Sequence, residues 1–369
     1  MNALQEILAY YEENLDPEHI RATKHRLKKA LDYGKADGLS LRVAFPGACF
    51  RARPYPEEFR DKETMMFNQL ASFQQVTRVK DDTLPMIRAN YGVGILTSAF
   101  GLSCTLMNND LPWVNHVDSE DEIRRIIDRG MPDNHAGLMG KVFETHEYYQ
   151  EQLAKYPKCQ ALIPIYHPDF QGPFDVAHLI WGSGIYYAVY DQPELVHALL
   201  RLVTDTYIHF MKAVKKTIQD EEAPGYVFHW GTLYKGSVVL RNDSPVNLSR
   251  DMYEEFVRPY DEDIYRALGS GSMHYCGRAD QWVFSMMECR GLRALNFGQP
   301  PNLIFGFDFL QKIYGRAREK KIPICGYIMN KSLIADIPAT EYTAGITYQT
   351  GASNEEEALR LLAIARQGT

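Results

Sequence analysis

The first residues of the chain repeat in helical rhythm: Leu4, Ile7, Leu8 and Tyr11 fall on one face of a 3.6-residue period. Asp16–Pro17–Glu18 then offers an N-cap, a first-turn proline and an acid matched to the helix dipole, so residues 1–33 are expected to form two helices. After Gly34 and Gly38, the stretch Leu39–Pro46 reads as a first short strand. The clearest helical stripe spans 191–217, with Asp191 as expected cap, Pro193 in the first turn, and Leu195, Leu199, Val203, Tyr207, Phe210 and Val214 on one side. Downstream, short apolar runs alternate with helical patterns: SMHYCG, LRALNFGQP, KIPICGYI and AGITYQTGA. Such β–α alternation predicts parallel strands. Ser353 and Glu356 make a capping-box pattern ahead of a last amphipathic helix through Ala358, Leu359, Leu361 and Leu362.

Length and composition narrow the class. The 369 residues exceed the ~250 typical of a (β/α)8 barrel, leaving room for a helical addition. Apolar residues at 45% and charged residues at 24% are those of a folded globular chain. A net charge of -7 argues against a nucleic-acid footprint, which needs clustered Lys and Arg. No run reaches the ~20 apolar residues of a membrane span, and the start lacks a basic segment followed by an apolar one, so a cytoplasmic location is expected. Cys49, Cys104, Cys159, Cys276, Cys289 and Cys325 are scattered rather than crowded, which favours reduced thiols and makes thiolate ligands available.

The sharpest chemical signal is His274–Tyr275–Cys276–Gly277 at the end of an expected strand. Residues i and i+2 of a strand share a face, so an imidazole and a thiol point the same way there, and N and S are the donors zinc prefers. Polar residues gather at other expected strand ends: Asp169 and Gln171 before Gly172–Pro173–Phe174, His229 at the end of GYVFHW, and Asp243 with Ser244 before a helix. An acid and imidazoles converging at strand ends suit general acid–base work or substrate positioning.

Four stretches in order, GPFDVAHLIWG (172–182), DQPELVHALLRLVTDTY (191–207), RNDSPVNLSRDMYEEFVRPY (241–260) and HYCGRADQWVFSMMECRGLRALNFGQP (274–300), resemble the uroporphyrinogen decarboxylase superfamily. The His-x-Cys-Gly element is similar to its corrinoid- and thiol-dependent methyltransferase branch. The resemblance runs from about Arg42 to the C-terminus and implies a (β/α)8 TIM barrel over 39–369, with 1–38 as a helical extension. It further implies a zinc site holding His274 and Cys276. The family's further zinc ligands, a Cys on the last strand and sometimes a Glu, fall here in Thr350–Gly351–Ala352–Ser353 and near Gly298–Gln299. Cys325, ending the preceding strand, is the expected substitute ligand. His274, Asp243 and His229 are then the expected catalytic groups, and Asp169, Gln171, His178, Arg51 and Arg53 the expected substrate contacts. The chain has no Asp-x-His-x-x-Gly pattern of the kind that ligates cobalt, so a corrinoid would arrive on a partner protein.

Two rivals stand beside methyl transfer. A porphyrinogen decarboxylase would use Arg51 and Arg53 in FRARPYPEEFR as carboxylate clamps, although the acid expected in GVGILTSAFG and the tyrosine expected at Ala177–His178–Leu179 are missing. A non-catalytic barrel that binds a small molecule or a corrinoid protein is the third reading.

Overall fold

The computed structural model describes residues 2–34, 38–106, 112–299 and 304–367; the junction expected at 38/39 adjoins 35–37, which, like Pro300, lie outside the described residues. Six strands form one parallel sheet: β1 (Leu41–Ala44), β2 (Val238–Arg241), β3 (Gly271–Cys276), β4 (Leu292–Gly298), β5 (Ile324–Ile328) and β6 (Ile346–Gly351), in the spatial order β1-β6-β5-β4-β3-β2. Parallel neighbours require crossovers, and here helices such as Arg258–Leu268 and Gly306–Glu319 supply them. The register sets Arg241 opposite His274, His274 opposite Asn296, and Cys276 opposite Gly298, so these residues form rows across the carboxyl ends of three strands.

Two segments between β1 and β2 in the chain are less regular. The Asp82 N–H donates to the Leu41 carbonyl, Ile87 bridges Ile165 in parallel, and the Val239 N–H donates to His167. A separate antiparallel unit, Glu221–Ala223, Tyr226–His229 and Thr232–Lys235, has its last strand laid against β3, β4 and β5. Its two-residue turn, Trp230–Gly231, has φ of 44° and 74°, the doubly left-handed form that twists with the strands.

The N-terminal helices are Ala3–Asn14, closed by an Asn2–Gln5 capping box, and Pro17–Leu31, capped by Asp16. Leu4, Ile7, Leu8, Tyr11, Leu27 and Leu31 are buried in the same apolar core as the sheet. The long helix runs Pro193–Val214 with all six residues of its expected stripe buried. Asp191 is not its cap: it ends the preceding helix Ile185–Asp191, because the chain is already helical before Pro193. At the C-terminus the cap is likewise displaced, with Asn354 accepting from the Glu357 N–H while Glu357 accepts from the Ser353 N–H. Among the described residues no helix is long and apolar enough to cross a membrane.

Candidate metal centre at the strand ends

On β3 the alternation is clean: Met273 and Tyr275 are buried toward the helices, with Tyr275 against Trp282 and Phe297, so His274 and Cys276 turn to the other side. His274 Nε2 stands 3.8 Å from Cys276 Sγ and 3.7 Å from Asp243 Oδ1. Among the described residues these three make the group of His, Cys and acidic side chains whose donor atoms all lie within 4.8 Å of one another. An imidazole nitrogen, a thiol and a carboxylate oxygen at that spacing are a set of donors for one small cation of the zinc type.

Neighbours hold each donor. Asn296 Oδ1 lies 2.5 Å from His274 Nδ1, and Asn296 Nδ2 donates to the Cys325 carbonyl at 2.6 Å. That second bond fixes which end of the amide faces the ring, so Nδ1 carries the proton and the Nε2 lone pair points at Cys276 and Asp243. Burial, opposed by the Asp243 charge, lowers the His274 pKa below the usual imidazole value. Burial and the Asp243 charge push the Cys276 thiol up to about 12, although its backbone N–H donates to Asp243 Oδ1 at 2.6 Å. Asp243 leaves the end of β2 on a loop that Asp175 pins from the helix Pro173–Trp181, accepting from the N–H groups of Asp243 (2.8 Å) and Ser244 (2.7 Å). Burial and the Asp243 charge raise that Asp175 carboxyl to about 8. Gly298 completes the site by its smallness, since a Cβ there would collide with Cys276 Sγ. Near the position at which the resemblance implies a glutamate stand Gly298 and the buried Gln299, and the carboxylate comes from the loop after the opposite neighbour, β2.

Cys325 does not join this group. It is fully buried, its thiol pushed up by burial and set in the field of Lys235 from the antiparallel unit. The register, Ile324 opposite Leu295, leaves it below the row of Cys276 and Gly298, and its contact with the site is the carbonyl that holds Asn296. His229 is also placed otherwise than expected. It ends a strand of the antiparallel unit, not a strand of the parallel sheet, and is buried with Nε2 3.4 Å from Arg241 Nη2. Burial and the neighbouring His167 and Arg241 hold its pKa well below the usual value, leaving it neutral.

Asp169 and Gln171 are buried behind the centre, where Asp169 pairs with Arg241 and accepts from Gln171 Nε2 at 2.7 Å. Arg241 in turn stacks on Trp230, 3.8 Å from the ring centre, and Trp230 meets the His274 ring edge-on at 4.7 Å. His178 is half-buried and bonded to Ser244 Oγ at 2.8 Å, on the outer side of the Asp243 loop. Arg51 and Arg53 are exposed, Arg53 lying over Phe67 and bonded to Thr64, and neither lines the cavity beside His274. That cavity, of about 300 Å³, is walled by Arg42, Trp230, Tyr234, His274, Asn296 and Gln349 among others. Asn296, Asp175, Trp230 and Arg42 were not singled out by the sequence reading; for Asp175, the Gly-Pro-Phe-Asp order at a helix start was the available signal.

No family model matches the chain, and no curated protein matches it. Among solved structures, a methyltransferase from Methanosarcina mazei is similar over 93% of this chain and 98% of that one, with a TM-score of 0.63 and 16% sequence identity. At that identity the likeness is one of α/β fold, carried by nearly the whole of both chains.

Proposed function

We propose that this chain is a methyltransferase-like enzyme that binds zinc through His274, Cys276 and Asp243 and moves a methyl group between a small molecule and a corrinoid carried by a partner protein. The observation that carries the reading is the convergence of Nε2, Sγ and Oδ1 at the carboxyl ends of β2 and β3, with Asn296 fixing the histidine tautomer. Zinc there would supply a Lewis acid that stabilises a bound thiolate. The chain's own residues do the rest. Asn296 and Asp175 hold the donors in place, the Trp230 ring shields one side of the imidazole, and the cavity of about 300 Å³ beside it has room for a small substrate. The fold-level likeness to a methyltransferase supports the same class.

Under this reading the sheet closes as an eight-staved barrel, with segments 82–87 and 163–167 as the staves between β1 and β2; the bonds from Asp82 to Leu41, the Ile87–Ile165 bridge and the Val239–His167 bond support it. Strand ends of a barrel share one mouth, which is where the three donors would then stand.

The test is metal content followed by turnover. After incubation with zinc at neutral pH, wild type is expected to hold one zinc, and His274→Ala, Cys276→Ser and Asp243→Ala to hold less than wild type. Methylcobalamin with a thiol acceptor is expected to lose its cobalt–carbon absorption with wild type only. Absence of zinc from wild type refutes the metal reading. Loss of carboxyl groups from uroporphyrinogen under anaerobic conditions would replace methyl transfer by the lyase.

A further inference from the structure

Strand β1 carries a residue out of keeping with its place. Leu41 and Val43 are buried toward the helices, so Arg42 between them turns to the other side of the sheet, opposite Gln349 of β6. There its guanidinium lines the cavity beside His274 and a second one of about 290 Å³ that it shares with Arg88, Gln75, Thr83, Tyr166 and Trp230. Among the described residues Arg42 Nε and Arg88 Nη1 are buried with no hydrogen-bond partner, while Arg88 Nη2 donates to Asn90 Oδ1 at 2.9 Å.

The carboxylates nearest these two arginines are already engaged. Asp81 accepts from the Val43 N–H at 2.8 Å and from the Thr83 N–H and hydroxyl at 3.1 and 3.0 Å. Asp169 is bonded to Arg241 and Gln171, with Arg88 Nη1 at 3.5 Å. Glu58 accepts from Asn68, Asn90 and Gln69. A buried guanidinium N–H without an acceptor is costly to hold, and the planar fork of the group matches an oxyanion in two-point geometry. Trp230, in its left-handed turn, lines both cavities, so Arg42 and Trp230 stand between the His274 centre and the second chamber.

We infer that the second chamber is an oxyanion subsite, with Arg42 as the principal donor and Arg88 as the second, binding the carboxylate or phosphate end of the small-molecule substrate. That this end belongs to a substrate reacting at His274 rests on the proposed function; the anion site itself does not, and it is measurable without the metal. Acetate and inorganic phosphate are the probes, titrated calorimetrically into wild type, Cys276→Ser, Arg42→Gln and Arg42→Lys. Saturable binding of either probe is expected in wild type and unchanged in Cys276→Ser, at least tenfold weaker in Arg42→Gln and partly restored in Arg42→Lys. Acetate as the tighter probe marks a carboxylate tail and phosphate a phosphate ester; both bear the site out. Equal affinity in Arg42→Gln, or no saturation of wild type by either probe up to about 10 mM, overturns it. Wild type alone gives a second readout: phenylglyoxal modification of Arg42, followed by peptide mass, is expected to slow several-fold with the bound anion, and an unaltered rate overturns the proposal.

Discussion

Asn296 lines the cavity beside His274, and its role is to aim the ring. Its amide N–H donates to the Cys325 carbonyl, and its oxygen accepts a hydrogen bond from the Nδ1–H of His274. Outer partners of this kind are worth about 10–100-fold in metal affinity. Asn296→Ala is therefore expected to keep the fold and lose that factor in zinc affinity, read by competition with a chromogenic chelator; unchanged affinity would show that His274 needs no such guide. Gly298 acts by what it lacks. Gly298→Ala adds one methyl where Cys276 Sγ lies, so the thiol must swing away from His274 and Asp243. Zinc stoichiometry should fall in this variant while its circular dichroism matches wild type.

At the level of elements, the antiparallel unit walls the site from the side opposite the parallel sheet's helices, through Trp230 and Tyr234. Its turn needs two left-handed residues, and Trp230 accepts the position at a cost of about 1–2 kcal/mol for an L-residue. What offsets that cost is visible in the packing: the Arg241 guanidinium on one side of the indole and the His274 ring at its edge. Gly231 has no such compensation available. Its φ is 74°, and a Cβ would come within 3.0 Å of Arg42 Nη2. Gly231→Ala is expected to destabilise the protein by about 1–2 kcal/mol, seen as a lower urea midpoint with unchanged slope.

For the molecule as a whole, buried neutral histidines make stability depend on pH. His146 donates from Nδ1 to Thr217 Oγ1, which itself donates to the Val214 carbonyl, and His146 Nε2 is buried with no hydrogen-bond partner among the described residues. Burial lowers its pKa to about 3, and that of His167 likewise to about 3. Between the unfolded value of 6.5 and about 3 the unfolded chain holds a proton that the folded one refuses. The stabilisation is complete above pH 6.5 and is lost as the pH falls, by about 1.4 kcal/mol per pH unit for each such group. Urea midpoints measured from pH 7 to pH 5 should drop accordingly, and His146→Gln, which retains a donor for Thr217 without a titrating ring, should flatten the slope. An equal slope in wild type and variant would remove His146 from the account.

The order of residues alone carried whatever neighbours along the chain decide between them. The period of 3.6 marked the two N-terminal helices and the stripe of Pro193–Val214, the alternation of short apolar runs with helices marked the parallel sheet, and the period of two set His274 and Cys276 on one face. Caps were legible only to within a residue, because Asp191 and Asn354 depend on where the adjoining segment starts or stops. The rest depended on register between strands about 20 to 30 residues apart and on what fills the space between them. That register brought Asp243 rather than Cys325 to His274, gave Asn296 its partner, and left Gly298 no room for a side chain. Arg42 is the plainest instance: in the string Leu-Arg-Val-Ala a polar residue between apolar ones reads as facing water, and only the two cavities around it make it half-buried with its Nε out of solvent. Periodicity says which residues share a face; tertiary structure decides what that face meets, since desolvation and donor spacing belong to groups brought together from distant parts of the chain.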